Sequence, residues 1–364
     1  MKKLISSIAA LLLLGGLQAQ TIYTADNNPG APGGANTYTG PSALQDALAD
    51  PTIVAGDIIH IVRSSNDYGT ATIDRQLTIY GIGLNPDTDG NERSIVSQVN
   101  ITDPSATGTR ISGLSITSQL ALGGVAGALN NLLIENSSIR WIQHSTATTT
   151  LSNVIIRNNV IGSGFTATGE EKIDLLGGAI ANVVIANNVF YTPTAGNQGV
   201  ITASNGTSVE NNLFIGSSTG AVYSFENFDG NSVKNNIFYG LRPHAFGSFT
   251  NNTFENNISY ITGGQDVFST ANGNISLNNL ESQDPLITNI GSVYTINYST
   301  FDPTLIAGSP AIGTGEGGTD MGVFGGGSPM SLEGTLIPTI QSLTFPTIVV
   351  KGDNLPVQIK AKGN

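Results

Sequence analysis

Two groups of residues in this chain are of types that could do chemistry. The first is Glu170, Glu171, Lys172 and Asp174, gathered in one polar stretch. Carboxylates grouped this way can share an acid and a base role, or take a hard cation such as Ca²⁺. The plain alternative is a solvated loop tip. The second group is aromatic and basic: Arg140, Trp141 and His144, then Phe165, Tyr191, Tyr239, Arg242 and His244. Rings accompanied by a few cations are how proteins hold sugars, although the same rings could instead fill corners of a core. Glu170, Glu171 and Asp174 are therefore the candidate catalytic residues, and Trp141, Tyr191, Tyr239 and Arg242 the candidate carbohydrate-binding residues. The three histidines, at 60, 144 and 244, are too scattered to suggest a metal site, and there is no Cys. No cofactor is expected beyond the Ca²⁺ that the acidic stretch could take.

What positions these residues is an internal repeat. A six-residue phrase recurs: apolar, any residue, Gly or Asn, two more residues, apolar. It reads Ile111-Ser-Gly-Leu-Ser-Ile116, Ile134-Glu-Asn-Ser-Ser-Ile139, Ile156-Arg-Asn-Asn-Val-Ile161, Ile185-Ala-Asn-Asn-Val-Phe190, Val209-Glu-Asn-Asn-Leu-Phe214 and Val233-Lys-Asn-Asn-Ile-Phe238, at spacings of 23, 22, 29, 24 and 24 residues. Gly and Asn most readily take a left-handed backbone, so the chain turns there between two short strands. A period near 23 with no helical pattern between phrases suits one coil of a parallel β-solenoid, each coil stacking on the last at about 4.8 Å. Ile161, Phe190, Phe214 and Phe238 should form one inward stack. Asn136, Asn158, Asn187, Asn211 and Asn235 should form a structural ladder bonding to the next coil. The outward residues should meet as charge pairs, Glu135 with Arg157, and Lys234 with Glu210 and Glu255. The last pair depends on starting the next phrase at Phe254 rather than Phe249. The longest interval, between Ile156 and Ile185, carries the acidic stretch as a loop inserted into one coil.

Composition limits the partners. The 364 residues carry 14 Lys+Arg against 26 Asp+Glu, a formal net charge of −12, with only 11% charged residues and 45 Gly. Nothing so acidic could neutralise a run of phosphates, which argues against nucleic acid. Met1-Lys2-Lys3, the apolar run Leu4 to Leu14 and the small residues up to Ala19 form the pattern of a signal peptide, too short to span a bilayer. The chain is thus expected to be secreted, extracellular or on the outer cell surface, with no transmembrane segment and no lipobox Cys for an anchor.

With these repeats the chain resembles the secreted bacterial right-handed parallel β-helix proteins of the pectin-lyase-like superfamily. Thr21-Ile-Tyr-Thr, Ala43-Leu-Gln-Asp-Ala-Leu48, Gly56-Asp-Ile-Ile-His-Ile61 and Gln76-Leu-Thr-Ile-Tyr-Gly81 look like that family's opening strand, capping helix (with Ser42 as N-cap) and first coils. Asp284-Pro-Leu-Ile, Ala307-Gly-Ser-Pro-Ala-Ile312 and Thr319-Asp-Met-Gly-Val-Phe324 look like its closing coil, with Gly313 where an Asp is usual. The resemblance implies an all-β, single-stranded right-handed parallel β-helix of about 8–11 coils, with a short N-terminal capping helix and a short C-terminal β tail. It implies little about function, because members include lyases, hydrolases, epimerases and proteins without activity. The Arg-rich lyase signature is absent, Leu241-Arg-Pro-His244 sharing only its Arg-Pro pair, and the Asn-Thr-Asp, Asp-Asp and Gly-His-Gly motifs of polygalacturonase-like members do not occur.

The expected organisation is a signal peptide over 1–19, the solenoid with its N-terminal cap over 20–327, and a linker and β tail over 328–364. Gly325-Gly-Gly-Ser-Pro329 reads as linker, and Ile340 to Leu343, Thr347 to Val350 and Val357 to Lys360 as short strands of an incomplete immunoglobulin-like unit or an edge cap. The expected role is structural, adhesive or glycan-binding, with an extracellular polysaccharide or cell-surface glycan as partner. The alternative is a polysaccharide-active lyase or glycoside hydrolase with a non-standard active site.

Overall fold

The computed structural model describes residues 20–331 apart from 85–92, 145, 164–170, 193–198, 217–222, 262–266, 292–295 and 299, together with 339–344 and 358–362. The leader, Phe165, Glu170 and the expected strand Thr347–Val350 lie outside the described residues. Short strands stack coil on coil into two long parallel sheets, the arrangement of a parallel β-helix. One sheet forms the first face, through Ile58–Ile61, Thr78–Tyr80, Arg110–Ser112, Leu133–Glu135, Thr149–Arg157, Ile180–Ala186, Thr207–Glu210, Ser232–Lys234, Thr253–Glu255 and Ile275–Leu277. The other sheet folds around two further faces. The second face holds Val160–Ile161, Val189–Thr192, Leu213–Gly216, Ile237–Tyr239 and Ile258–Tyr260; the third holds Ile173–Asp174, Ile201–Ala203, Tyr223–Phe228 and Arg242–Phe246. Earlier coils run both of these faces as single strands, such as Ser138–His144.

The repeat phrase is the corner between the first and second faces. Its first position is an inward column, Ile111–Ile134–Ile156–Ile185–Val209–Val233–Phe254, in direct register from coil to coil. Its last position is the expected stack: Ile161, Phe190, Phe214 and Phe238 are aligned and fully buried, with the phenyl rings 4.8 Å apart and 11° from parallel. The third position takes the left-handed conformation, with φ between 51° and 57° at Asn136, Asn158, Asn187, Asn211 and Asn235.

The amide ladder is carried one residue later than expected. Asn159, Asn188, Asn212, Asn236 and Asn257 are fully buried. The backbone N–H of each donates to the Oδ1 of the next at 2.8–2.9 Å, ending on Asn279. Each Nδ2 from Asn188 onward returns to a carbonyl of the preceding coil, as Asn188 does to Ile156 at 2.9 Å. The reason is geometric: a left-handed residue at the corner swings its own side chain outward, and the following residue points in. The same pairing recurs at the other end of the first face, where Gly230, Asn251 and Gly273 precede the buried Asn231, Asn252 and Asn274.

Of the expected charge pairs, Glu135 with Arg157 and Lys234 with Glu210 form. Glu135 lies beside Arg157 at 2.8 Å and also bonds Arg110, but it is buried rather than exposed, so it is a shared counter-ion between two coils. Lys234 meets Glu210 at 3.7 Å and stands in register with Glu255, which fixes the phrase at Phe254. Its nearest acid is Glu316, at 2.9 Å.

The segment expected to close the solenoid instead folds back along it. Ile287–Asn289 and Asp302–Leu305 pair antiparallel with one another. The described residues between 284 and 330 form a strap over the outward side of the second face, burying Val160, Val189, Leu213, Ile237 and Ile258 beneath Phe301, Ala311, Met321, Val323 and Met330. The outward corner asparagines hold it: Asn256 donates to Thr314 O (2.9 Å), Asn235 Oδ1 accepts from Glu316 N (2.8 Å), and Asn187 donates to Val323 O and Gly325 O (3.0 and 2.9 Å). The stretch expected as a linker is part of this strap, with Ser328 bonded to Arg157 and Met330 buried.

The helix Ala43–Ala49 buries Ala43, Leu44, Ala47 and Leu48 at the opposite end of the solenoid. Ser42 occupies its N-cap position, but its side chain makes no capping bond. In the tail, Thr339–Thr344 pairs antiparallel with Gln358–Lys362.

Neighbouring asparagines should therefore respond differently to substitution. Asn211→Gly keeps the left-handed corner and should cost no more than about 1 kcal/mol. Asn212→Ala removes the acceptor for a buried N–H, and each such orphan costs about 1–3 kcal/mol. Phe214→Ala should cost about 3–5 kcal/mol. Equal losses at Asn211 and Asn212 in denaturant titrations would contradict the assigned roles.

Candidate functional site

The third face differs from the others in what it shows to solvent. Alternation along its strands sends Val99, Leu120, Ile142, Ile173, Ile201 and Phe225 inward in register, as a wall of the core. The residues between them form an outward row. In the early coils it is Thr72, Asn100, Ala121 and Gln143; it continues as Asp174, Thr202, Glu226 and Phe246. A second row beside it runs through Thr70, Gln98, Gln119 and Trp141. A register irregularity between Ile139 and Trp141 places Trp141 opposite Gln119, on the outward side and half-buried. Side-chain amides tie the rows together, Gln119 donating to Gln143 Oε1 at 2.6 Å and Gln98 to Asn100 Oδ1 at 2.7 Å. At the far end the ring of Tyr223 lies 6.0 Å from that of Phe246, with the Arg242 guanidinium 5.4 Å from its centre and the His244 ring 6.3 Å away. The result is a polar ribbon with an aromatic side chain partway along and an aromatic and cationic group at one end.

Carboxylates occupy its middle. Asp174 Oδ1 accepts from Leu176 N at 3.0 Å, and Glu226 Oε2 accepts from Gly199 N at 3.1 Å, so backbone donors orient both. Position 199 must be glycine, because a Cβ there would stand 2.1 Å from the Phe225 carbonyl carbon. Thr202, between the two acids, is buried, and its hydroxyl has no hydrogen-bond partner. Glu171 has its carboxyl raised above the usual range, first by burial and then by the negative charges of Glu226 and Asp174, with Lys172 acting in the opposite sense.

The expected aromatic strip is divided between faces. Trp141, Arg242 and His244 share the third face, but Tyr191 and Tyr239 stand on the second. Tyr191 is fully buried under the strap, its hydroxyl donating to Ile290 O at 3.0 Å and its ring 6.3 Å from that of Phe301, so it cannot serve as a platform for a ligand. Tyr239 is half-buried against Tyr260 at 5.7 Å. His144 points inward, with Nε2 3.0 Å from Thr149 O, and burial lowers its pKa. The expected strip put on one side residues that belong to two faces, because in the later coils the second and third faces are separate strands rather than one. Of the acidic stretch, Glu171 and Asp174 lie at the ribbon, Lys172 is buried, and Glu170 falls outside the described residues. Among the described residues no group of three or more His, Asp or Glu is placed to hold a metal ion. Gln143, Thr202, Tyr223, Glu226 and Phe246 were not singled out by sequence; the parallel register alone brings them into line. A cavity of about 230 Å³ between the strap and the second face, lined by Leu213, Ile237, Met321 and Val323 among others, is separate from the ribbon.

No protein-family model and no curated protein matches this sequence. Among solved structures, an alginate lyase from Paenibacillus sp. str. FPU-7 is similar at a TM-score of 0.30 and 17% identity, over 72% of this chain and 97% of that one. A likeness of that order bears on neither substrate nor mechanism.

The raised carboxyl at Glu171 has a consequence for stability. A carboxyl whose folded-state pKa lies above its unfolded value supports the fold in acid and opposes it once pH rises through the folded value. Glu171→Gln should therefore raise the melting temperature at neutral pH, with the gain disappearing below the carboxylate range. A thermal shift independent of pH would contradict the assignment.

Proposed function

We propose that this is a secreted, right-handed parallel β-helix protein, released by a signal peptide over residues 1–19, that binds an extended polysaccharide along its third face. The observation that carries this reading is the ribbon itself. Its amides, carboxylates and hydroxyls follow one another at the coil spacing of about 4.8 Å, close to the length of one sugar unit in an extended chain. Trp141 stands beside this row, and Tyr223, Arg242 and Phe246 close it. Rings in such positions present flat apolar surfaces to the axial hydrogens of sugars, while fixed amides bond their hydroxyls. The strap leaves this face free because it is bonded to the second. A structural or adhesive role remains compatible with the same surface, since attachment to a glycan is itself adhesion.

Affinity electrophoresis through gels containing single polysaccharides tests the reading. Trp141→Ala and Tyr223→Ala should each weaken retardation by about tenfold, the factor that 1.4 kcal/mol represents. Ile155→Ser, on the exposed first face, should leave it unchanged. Failure of every polysaccharide to retard the protein, or equal losses in all three variants, would refute the ribbon as the binding face.

A further inference from the structure

Resting on the ribbon as the glycan-binding face, we propose that it is also a hydrolytic active site for neutral polysaccharides, with Glu171 the general acid and Glu226 the base that activates water. The two residues belong to coils two steps apart: Lys172 N donates to Val200 O at 2.8 Å, and Val200 N to Ser224 O at 3.3 Å. Two steps of about 4.8 Å set these coils roughly 10 Å apart, and Glu171 precedes Asp174, the register partner of Glu226 through Thr202, by three residues. Carboxyl groups about 6.5–9.5 Å apart leave room for a water on the far side of the sugar, whereas direct attack by a carboxylate needs only about 5–5.5 Å. Thr202 lies between these coils, 3% exposed and in line with Asp174 and Glu226. Its hydroxyl is without a partner. A buried hydroxyl left unbonded is costly unless a ligand group completes it.

The environments of the two acids fit their roles. Burial and the neighbouring charges of Glu226 and Asp174 favour the protonated form of Glu171, while the Gly199 N–H, 3.1 Å from Oε2, fixes the direction of the Glu226 carboxyl. Glu171 gives its proton to the glycosidic oxygen as the bond from that oxygen to the anomeric carbon breaks. Glu226 takes a proton from the water whose oxygen bonds to that carbon from the opposite side. The products are an alcohol and a new reducing end of inverted configuration, and solvent returns the proton from Glu226 to Glu171.

The charges select the substrate. A polyuronate would lay its carboxylates against Glu171, Asp174 and Glu226. Of the cations on this face, Lys172 is buried, Arg242 lies over Tyr223, and Arg140 is already engaged.

The test uses the full chain with mixed-linkage β-glucan, galactomannan and arabinoxylan, and with polygalacturonate as the anionic probe. Binding is read by affinity electrophoresis and cleavage by new reducing ends, with the anomer followed by NMR. We expect release from a neutral polysaccharide that is bound, with inversion. Glu171→Gln and Glu226→Gln should each lose about 100-fold or more in rate and keep their retardation. A neutral polysaccharide bound but left intact, either variant at the wild-type rate, retained configuration, or cleavage of polygalacturonate alone would each overturn the proposal and leave the binding reading standing. Absence of binding to all four would remove both.

Discussion

A chain that coils upon itself must turn sharply at every corner, and each turn leaves polar backbone groups facing a dry interior. Buried N–H and C=O groups require partners, and at a corner the regular strand ladder cannot supply all of them. Two consecutive residues meet that requirement here. The first adopts a left-handed conformation and redirects the chain; the second points inward and hands an amide to the coils on either side. Asn158 and Asn159, or Asn211 and Asn212, are such pairs. Chemically identical neighbours thus perform unrelated tasks, and the column of phenylalanines can stack only because this pair fixes the register of every coil beside it.

Once register is fixed, each outward position becomes a column, and the columns can be put to separate uses. The second face carries an apolar column and is covered by the strap. The first carries Glu135 between Arg110 and Arg157, an arrangement in which one buried carboxylate answers charges from two coils. The third carries amides, acids and rings that no other part of the described chain covers in the same way. A parallel sheet converts residues 20 to 30 positions apart in sequence into neighbours, so a site can be assembled from side chains that share no local motif.

This explains which features were legible in the sequence. The inward column and the stack from Ile161 to Phe238 were legible because the phrase repeats apolar residues at fixed offsets. The ladder was displaced by one position because a double Asn does not say which member turns. The strap left a signal that went unread: the fifth position of the phrase is Ser115 and Ser138 in early coils, then Val160, Val189, Leu213 and Ile237. An outward position that changes from hydroxyl to aliphatic must acquire a cover. The site was legible only in part, through Trp141, Glu171, Asp174 and Arg242, because Thr202, Tyr223 and Glu226 gain meaning solely from their register partners.

Solenoids ordinarily assemble like a zipper, each turn needing only its predecessor. The strap alters that economy of contacts. Ser328 meets Arg157 and Val323 meets Asn187, contacts spanning 171 and 136 residues, which cannot form until the intervening turns exist. Long-range closures of this kind are slow steps in folding. They also join the terminal turns to the middle ones, so that loosening one end is opposed by the whole length. A molecule built from nearly independent units is thereby made to open and close as one, with its final segment serving as the fastening.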